Sequence, residues 1–351
     1  IYVAVTTVIL TIARKREHNP VALFFILTFL VPPAQARIPG FGLMNYFFDL
    51  NYVRLLSLCV LLPAFFALRR QADTQGFGRT WPDRFLAIYL VLTSLLLLRE
   101  TTVTDTLRQT AYQFTDVFLP YYVASRALKN LRDFKDALLG FVLAAMVMSL
   151  IGLFEFARGW LLYSALIGAM GMQWEMSSYL SRGGLLRASV TTGQAIALGL
   201  VISTAIGFYL YLQEGVRSKL QRRLGALLLA GGLFAPLSRG PWIGAAAMLL
   251  VYIATGQKVM KRIMLLAFAG VLALPVLAIA PGGQKVLDLL PFVGNVDVEN
   301  ITYRQRLIDA SLLVIQRNPL FGTFDYRKAP EMQVMIQGEG IIDIVNTYIN
   351  L

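Results

Sequence analysis

The sequence predicts an all-α fold: a polytopic transmembrane helix bundle of about ten spans, followed by a long external, partly helical loop. Three observations carry that expectation. Hydrophobic residues make up 57% of the 351 and charged residues only 15%, against roughly half apolar and a quarter charged in a soluble domain. Apolar runs recur along the whole chain, giving more greasy faces than one water-soluble core can bury. The basic residues gather on alternate connections between those runs.

A helix needs about 20 apolar residues to cross roughly 30 Å of hydrocarbon. The candidate segments cover 1–12, 20–33, 52–68, 84–98, 111–124, 137–157, 189–212, 224–237, 240–255 and 263–280. Residues 1–280 are therefore assigned to the bundle. Residues 281–351 form the external region, with an amphipathic helix and a return towards the membrane. The chain opens on Ile1 and closes inside the apolar run VNTYINL, which predicts further spans beyond both ends.

Net charge is +12, but its distribution is topological. The clusters are Arg14, Lys15, Arg16; Arg69, Arg70, Arg79; Arg126, Lys129, Arg132, Lys135; Arg217, Lys219, Arg222, Arg223; and Lys258, Lys261, Arg262. Basic loops alternating with poorer ones follow the positive-inside rule, so these five face the cytoplasm. The same pattern makes membrane lipid the partner of the chain's surface and argues against nucleic acid. The external segments are then about 34–51, 99–110, 158–188, the tip at 238–240 and everything after Pro281. The one cysteine, Cys59, lies in an apolar run and the one histidine, His18, in a polar stretch. One of each supports neither a thiol metal cluster nor Ser-His chemistry. The external segments hold no paired carboxylates of the DxD type, so no metal and no cofactor is expected.

Cations on the external side run against the insertion bias. Arg182 and Arg187 lie in SRGGLLRASVTTGQA, Arg239 in PLSRGPW, and Arg304 and Arg306 in TYRQRLIDASLLVIQRNPLFG. The last run reads as an amphipathic helix stopped by Asn318-Pro319, with Leu307, Ala310 and Val314 on one face. Arg306 has Asp309 at i+3, so a local ion pair accounts for it. Arg304 has Leu307 and Ile308 at i+3 and i+4, and as a cation near a helix start it opposes the helix dipole. An anionic ligand would compensate it; an exposed or distantly paired arginine is the plainer alternative. For Arg239 the plainer alternative is a snorkelling interface residue. Glu155 is expected to pair with Arg158 at i+3. Asp116, deep in the fifth segment, needs a partner that the sequence does not name.

Together these runs resemble the O-antigen ligase and O-antigen/exopolysaccharide polymerase superfamily. TYRQRLIDASLLVIQRNPLFG is similar to its loop arginine, amphipathic helix and Pro-x-x-Gly turn. LFAPLSRGPWIGAAAMLLV resembles its Ser-Arg-Gly turn between two hydrophobic segments, LLRASVTTGQAIALGL its arginine-led span entry, and IIDIVNTYINL its re-entry into the membrane. The four occur in family order over about 180–351. Such proteins are bacterial cytoplasmic (inner) membrane glycosyltransferases whose active site faces the periplasm. They take an undecaprenyl-diphosphate-linked glycan as donor, and an acceptor glycan or lipid A core as acceptor, without a metal. The resemblance assigns the loop-arginine role to Arg304, with Arg306 beside it, the span-entry role to Arg187 and the Ser-Arg-Gly role to Arg239. Many members carry a histidine before the asparagine of the last motif, where this chain has Val345-Asn346. Asp343 and Glu339 are the nearby ionisable residues, and Asp343 is assigned as catalytic base. The missing histidine favours a polysaccharide polymerase over a ligase acting on lipid A core. A transporter of a lipid-linked or anionic saccharide is the reading from a different class.

Overall fold

The computed structural model of the chain describes residues 2–16, 18–31, 35–40, 46–171, 179–256, 259–264, 268, 271, 275, 279, 298–323, 325–336 and 342. They are mostly helical. In chain order the elements begin with α1 (Tyr2–Arg16), α2 (Pro20–Leu30), strands β1 (Gln35–Pro39) and β2 (Tyr46–Asn51), α3 (Tyr52–Leu56) and α4 (Leu62–Arg70). Next come α5 (Trp81–Glu100), α6 (Val103–Gln113), α7 (Leu119–Ala127), α8 (Leu131–Arg158) and α9 (Leu162–Ala169). A two-residue-strand hairpin, β3 (Ser181–Arg182) and β4 (Leu185–Leu186), precedes α10 (Ala195–Leu212), α11 (Lys219–Phe234) and α12 (Arg239–Ala254). Two further described helices are α13 (Val298–Arg317) and α14 (Pro330–Gln333).

The expected count of about ten spans is not confirmed. Among the described residues four helices are long and apolar enough to cross a membrane: Tyr52–Arg70, Trp81–Glu100, Leu131–Arg158 and Ala195–Gly215. Pro20–Leu30 and Arg239–Ala254 are shorter apolar helices. The segment proposed at 263–280 lies mostly outside the described residues, as do 281–297. The chain is mostly helical, as expected, and short strands join some of the helices. Part of the connection at 34–51 is an antiparallel hairpin, in which Arg37 pairs with Asp49 and Ala36 with Leu50.

Local chemistry explains where helices start, bend and stop. The Asn130 side chain accepts from the Asp133 amide at the start of α8, and Gly159, at φ +63°, ends it in the left-handed region. Thr80 and Asp83 form a capping box at the start of α5. Helix α3 runs into α4 through a π-helical turn, Ser57–Leu61, and α6 into α7 through another, Phe114–Phe118. Each is followed by a proline, Pro63 or Pro120, at the second residue of the next helix. A proline lacks the N–H for the i−4 carbonyl and its ring collides with that carbonyl, so the helix widens there.

Asp116 sits in the second π turn, and its partner is Arg54. The Arg54 Nε donates to the carboxylate at 3.0 Å, while the guanidinium lies 3.5 Å over the Tyr112 ring and donates through Nη1 to the Asp49 carbonyl at 2.7 Å. This ties the hairpin to the bundle. A second buried pair, Arg126 Nη2 to Asp83 at 2.7 Å, joins the start of α5 to the end of α7.

Helix α8 is 28 residues long, which at 1.5 Å per residue is about 42 Å. It packs against α2, α10 and α11. Its two ends are marked by contacts with α2. The Asn19 amide donates to the Asp133 carbonyl at 2.7 Å at one end, and Thr191 donates to the Phe29 carbonyl at 2.7 Å at the other. The basic stretches around 129–135 and 217–223 share the first end. There Lys135 lies over the Tyr211 ring, and Tyr209 donates to the Arg222 carbonyl.

Helices in lipid approach closely where side chains are small. A Cβ on Gly232 of α11 would lie 2.1 Å from the Ser149 Oγ and 2.8 Å from the Ser149 Cα of α8. We expect Gly232→Val to force these helices apart, costing about 1–3 kcal/mol by overpacking. The check is the melting temperature in detergent; an unchanged value would contradict the packing.

Helix α13 buries Leu307, Ser311 and Val314, with Met332 and Met335 completing the small core around them. It ends at Arg317, ahead of Asn318-Pro319 as expected. Tyr303 donates to the Met335 carbonyl, and Arg317 pairs with Glu331.

Candidate functional site

The site is built at the end of α8 away from the basic loops, where three connections meet. The first is the β3–β4 hairpin. Gly183 and Gly184 sit at φ +58° and +75°, the left-handed pair that a two-residue hairpin turn requires. The hairpin holds Arg182 and brings the chain back so that the Arg187 amide donates to the Leu180 carbonyl at 2.9 Å. The second is the 3-10 turn Val190–Thr192, which leads into α10. The third is the buried turn Ala235–Ser238 between α11 and α12.

Side chains lock the three together. Arg182 Nη1 donates to the Leu237 carbonyl at 2.6 Å. Arg187 donates through Nε to the Pro236 carbonyl at 3.1 Å and through Nη2 to the Ser238 Oγ at 2.9 Å. The Ala188 amide donates to the Ala235 carbonyl at 3.2 Å. Trp242 stacks on Phe234 and donates to the Leu233 carbonyl at 2.7 Å, closing the turn from the α12 side. Gly199 lets α10 reach the start of α12, because a Cβ there would lie 2.7 Å from Pro241.

Val190 and Leu237 both have φ +47°, and they are the non-glycine residues at positive φ among those described. For a branched side chain this backbone costs on the order of 1–3 kcal/mol and persists only where surrounding contacts enforce it. Both strained residues belong to this one junction.

Its charge is equally uneven. Arg187 is half-buried and, among the described residues, has no carboxylate partner; its bonds go to a carbonyl and a hydroxyl. Burial first, and the Arg182 charge second, lower the Arg187 pKa from its ordinary value. A negative ligand would relieve both effects. The Ser238 hydroxyl, at the N-cap of α12, makes no cap bond; it accepts from Arg187 and donates to the Pro236 carbonyl at 3.2 Å. The positive end of the α12 dipole therefore adds to the arginines. Arg239 is the first residue of that helix and is partly exposed. This arrangement suits a phosphate or diphosphate, whose oxygens match planar guanidinium donors.

Residues 224–341 match the O-antigen ligase family model, Wzy_C. The match supports the superfamily that the four motifs resemble. It takes in the Ala235–Ser238 turn, Arg239, Arg304 and Arg306, while Arg187 and its hairpin precede it. No curated protein and no solved structure matches the chain. The match, together with the long apolar helices, is consistent in kind with the membrane proteins of the O-antigen ligase family.

The sequence-assigned residues fare differently. Arg187 lies at the junction, and Arg239 follows Ser238 at its edge, as the first residue of α12. Arg304 and Arg306 lie on the exposed side of α13, and among the described residues no hydrogen bond or ion pair joins either of them to it. The expected Arg306–Asp309 pair is likewise absent among the described residues. Asp343 lies outside the described residues. Glu155 does not pair with Arg158. Its carboxylate turns inward and accepts from main-chain amides, because α8 ends at Gly159 and the chain folds back over it. A groove of about 600 Å³ lined by Tyr211, Glu214, Tyr252 and Arg262 lies at the far ends of α10 and α12 and is separate from the junction.

Proposed function

We propose that the chain is a membrane glycosyltransferase that joins undecaprenyl-diphosphate-linked glycan units at the external face of the bacterial cytoplasmic membrane, acting as a surface or exopolysaccharide polymerase. The observation that carries this reading is the half-buried, carboxylate-free Arg187 fixed against a strained turn within reach of the α12 N-terminus. The O-antigen ligase match over the adjoining segment supports it.

In the proposed reaction an acceptor hydroxyl oxygen attacks the anomeric carbon of the donor on the face opposite the diphosphate. The glycosidic bond forms as the bond from carbon to diphosphate oxygen breaks, and undecaprenyl diphosphate leaves with that electron pair. The hydroxyl proton passes to a base, for which Asp343 is the candidate. Charge develops on the leaving diphosphate, where Arg187, Arg239, Arg304 and Arg306 stabilise it without a metal. Fixed cations in a dry site act strongly on such charge because they need no reorganisation during the reaction.

The ligase reading is favoured by the description of the matched family and differs only in acceptor. Deleting the gene separates the two. A polymerase predicts loss of long surface polysaccharide with lipopolysaccharide unchanged. Loss of the O-chain from lipid A core, with free polymer retained, would replace polymerase by ligase.

A further inference from the structure

We propose that Glu155 is a positioning residue for Arg187, a role that rests on the anion-binding reading above. Glu155 is fully buried. Its Oε1 accepts from the Leu162 amide at 3.0 Å, and its Oε2 from the Ser189 and Val190 amides at 3.1 and 3.0 Å. One carboxylate at the end of α8 therefore fastens the start of α9 and the two residues that follow Ala188, next to Arg187.

Two features separate this from ordinary packing. First, the anion does not meet the cation beside it: among the described residues Glu155 pairs with no arginine. Its charge is satisfied by amide dipoles behind the turn, while Arg187 is held by the Pro236 carbonyl and the Ser238 hydroxyl in front. A direct Glu155–Arg187 pair would offset the guanidinium's charge and occupy its donors; the observed split leaves that charge uncompensated and a donor open to an outside anion. Second, one of the two amides that Oε2 accepts from belongs to Val190, at φ +47°. That conformation needs enforcement, and Glu155 supplies it together with the Thr191 bond to Phe29 and the Thr192 bond to the Ser189 carbonyl at 2.6 Å.

The test uses the purified chain in lipid nanodiscs with inorganic pyrophosphate as probe. Glu155→Gln keeps the size but turns an NH2 group towards an amide that needs an acceptor. We expect it to weaken pyrophosphate binding about tenfold, as a displaced binding group does, and to raise KM for the lipid-linked donor more than it lowers kcat. Glu155→Asp, which keeps the charge, should recover part of the affinity. A merely structural role would lower the yield of folded protein and leave the affinity of the folded fraction unchanged; that result overturns the proposal. Should Glu155→Gln give no folded protein, Thr191→Val loosens the same turn with every charge intact. It must then weaken binding, and unaltered affinity overturns the proposal equally. Pyrophosphate binding that depends on Glu155 in a protein that transfers no glycan would overturn the glycosyltransferase reading and leave the positioning role standing.

Discussion

Arg187→Lys is expected to lower glycan joining about a hundredfold or more, the scale on which removing one fixed donor to a developing negative charge acts. Charge is preserved in this variant, so the loss isolates geometry. The guanidinium uses Nε for the Pro236 carbonyl and Nη2 for the Ser238 hydroxyl, which leaves Nη1 to reach a ligand. An ammonium on a flexible stem cannot hold two such partners in fixed directions and present a third donor. The readout is the initial rate of polymer formation in membranes matched for protein content. A lysine variant with wild-type rates would remove Arg187 from the chemistry.

Arg304→Ala is expected to abolish polymer formation altogether. The substitution leaves packing alone: α13 buries Leu307, Ser311 and Val314, while Arg304 is on its exposed side. Membrane level and melting temperature should therefore match wild type, so lost activity reports on substrate. Arg306→Ala is expected to show a smaller loss. Full activity of Arg304→Ala in a polymer ladder assay would sink the idea that this arginine clamps the diphosphate.

The helical character and many helix positions are legible from composition and loop charge, because burying or lipidating apolar surface leaves a pattern every few residues. Arg187 and Arg239 are legible as external cations, since cations there oppose the insertion bias. Other features are not, for physical reasons. Asp116 finds its partner in Arg54, 62 residues away in sequence, so no local spacing reveals the pair. Glu155 has Arg158 at helical spacing, and that local option loses to three long-range amide bonds that form once the chain doubles back after Gly159. The strain at Val190 and Leu237 has no signature in residue type, because both are ordinary apolar residues placed at positive φ by their neighbours. The hairpin at 35–51 follows a hydrophobic helix, and its contacts with Tyr112 and Arg108 of α6 depend on the assembled bundle. The seventh segment begins later than its apolar run suggests, because residues 189–194 are drawn into the junction and α10 starts at Ala195.

The proposed function has this chain transfer glycan from a polyprenyl diphosphate by means of arginines. Its most direct test is the purified protein in lipid vesicles given synthetic undecaprenyl-diphosphate-linked repeat units in the presence of EDTA, with glycan length and released undecaprenyl diphosphate followed together. A ladder of lengthened lipid-linked glycans is expected, with one undecaprenyl diphosphate released per unit joined, at least a hundredfold less of both products from Arg187→Lys and neither from Arg304→Ala. No released undecaprenyl diphosphate with either a second lipid-linked unit or lipid A core as acceptor would contradict it, as would an undiminished ladder from the Arg187→Lys protein.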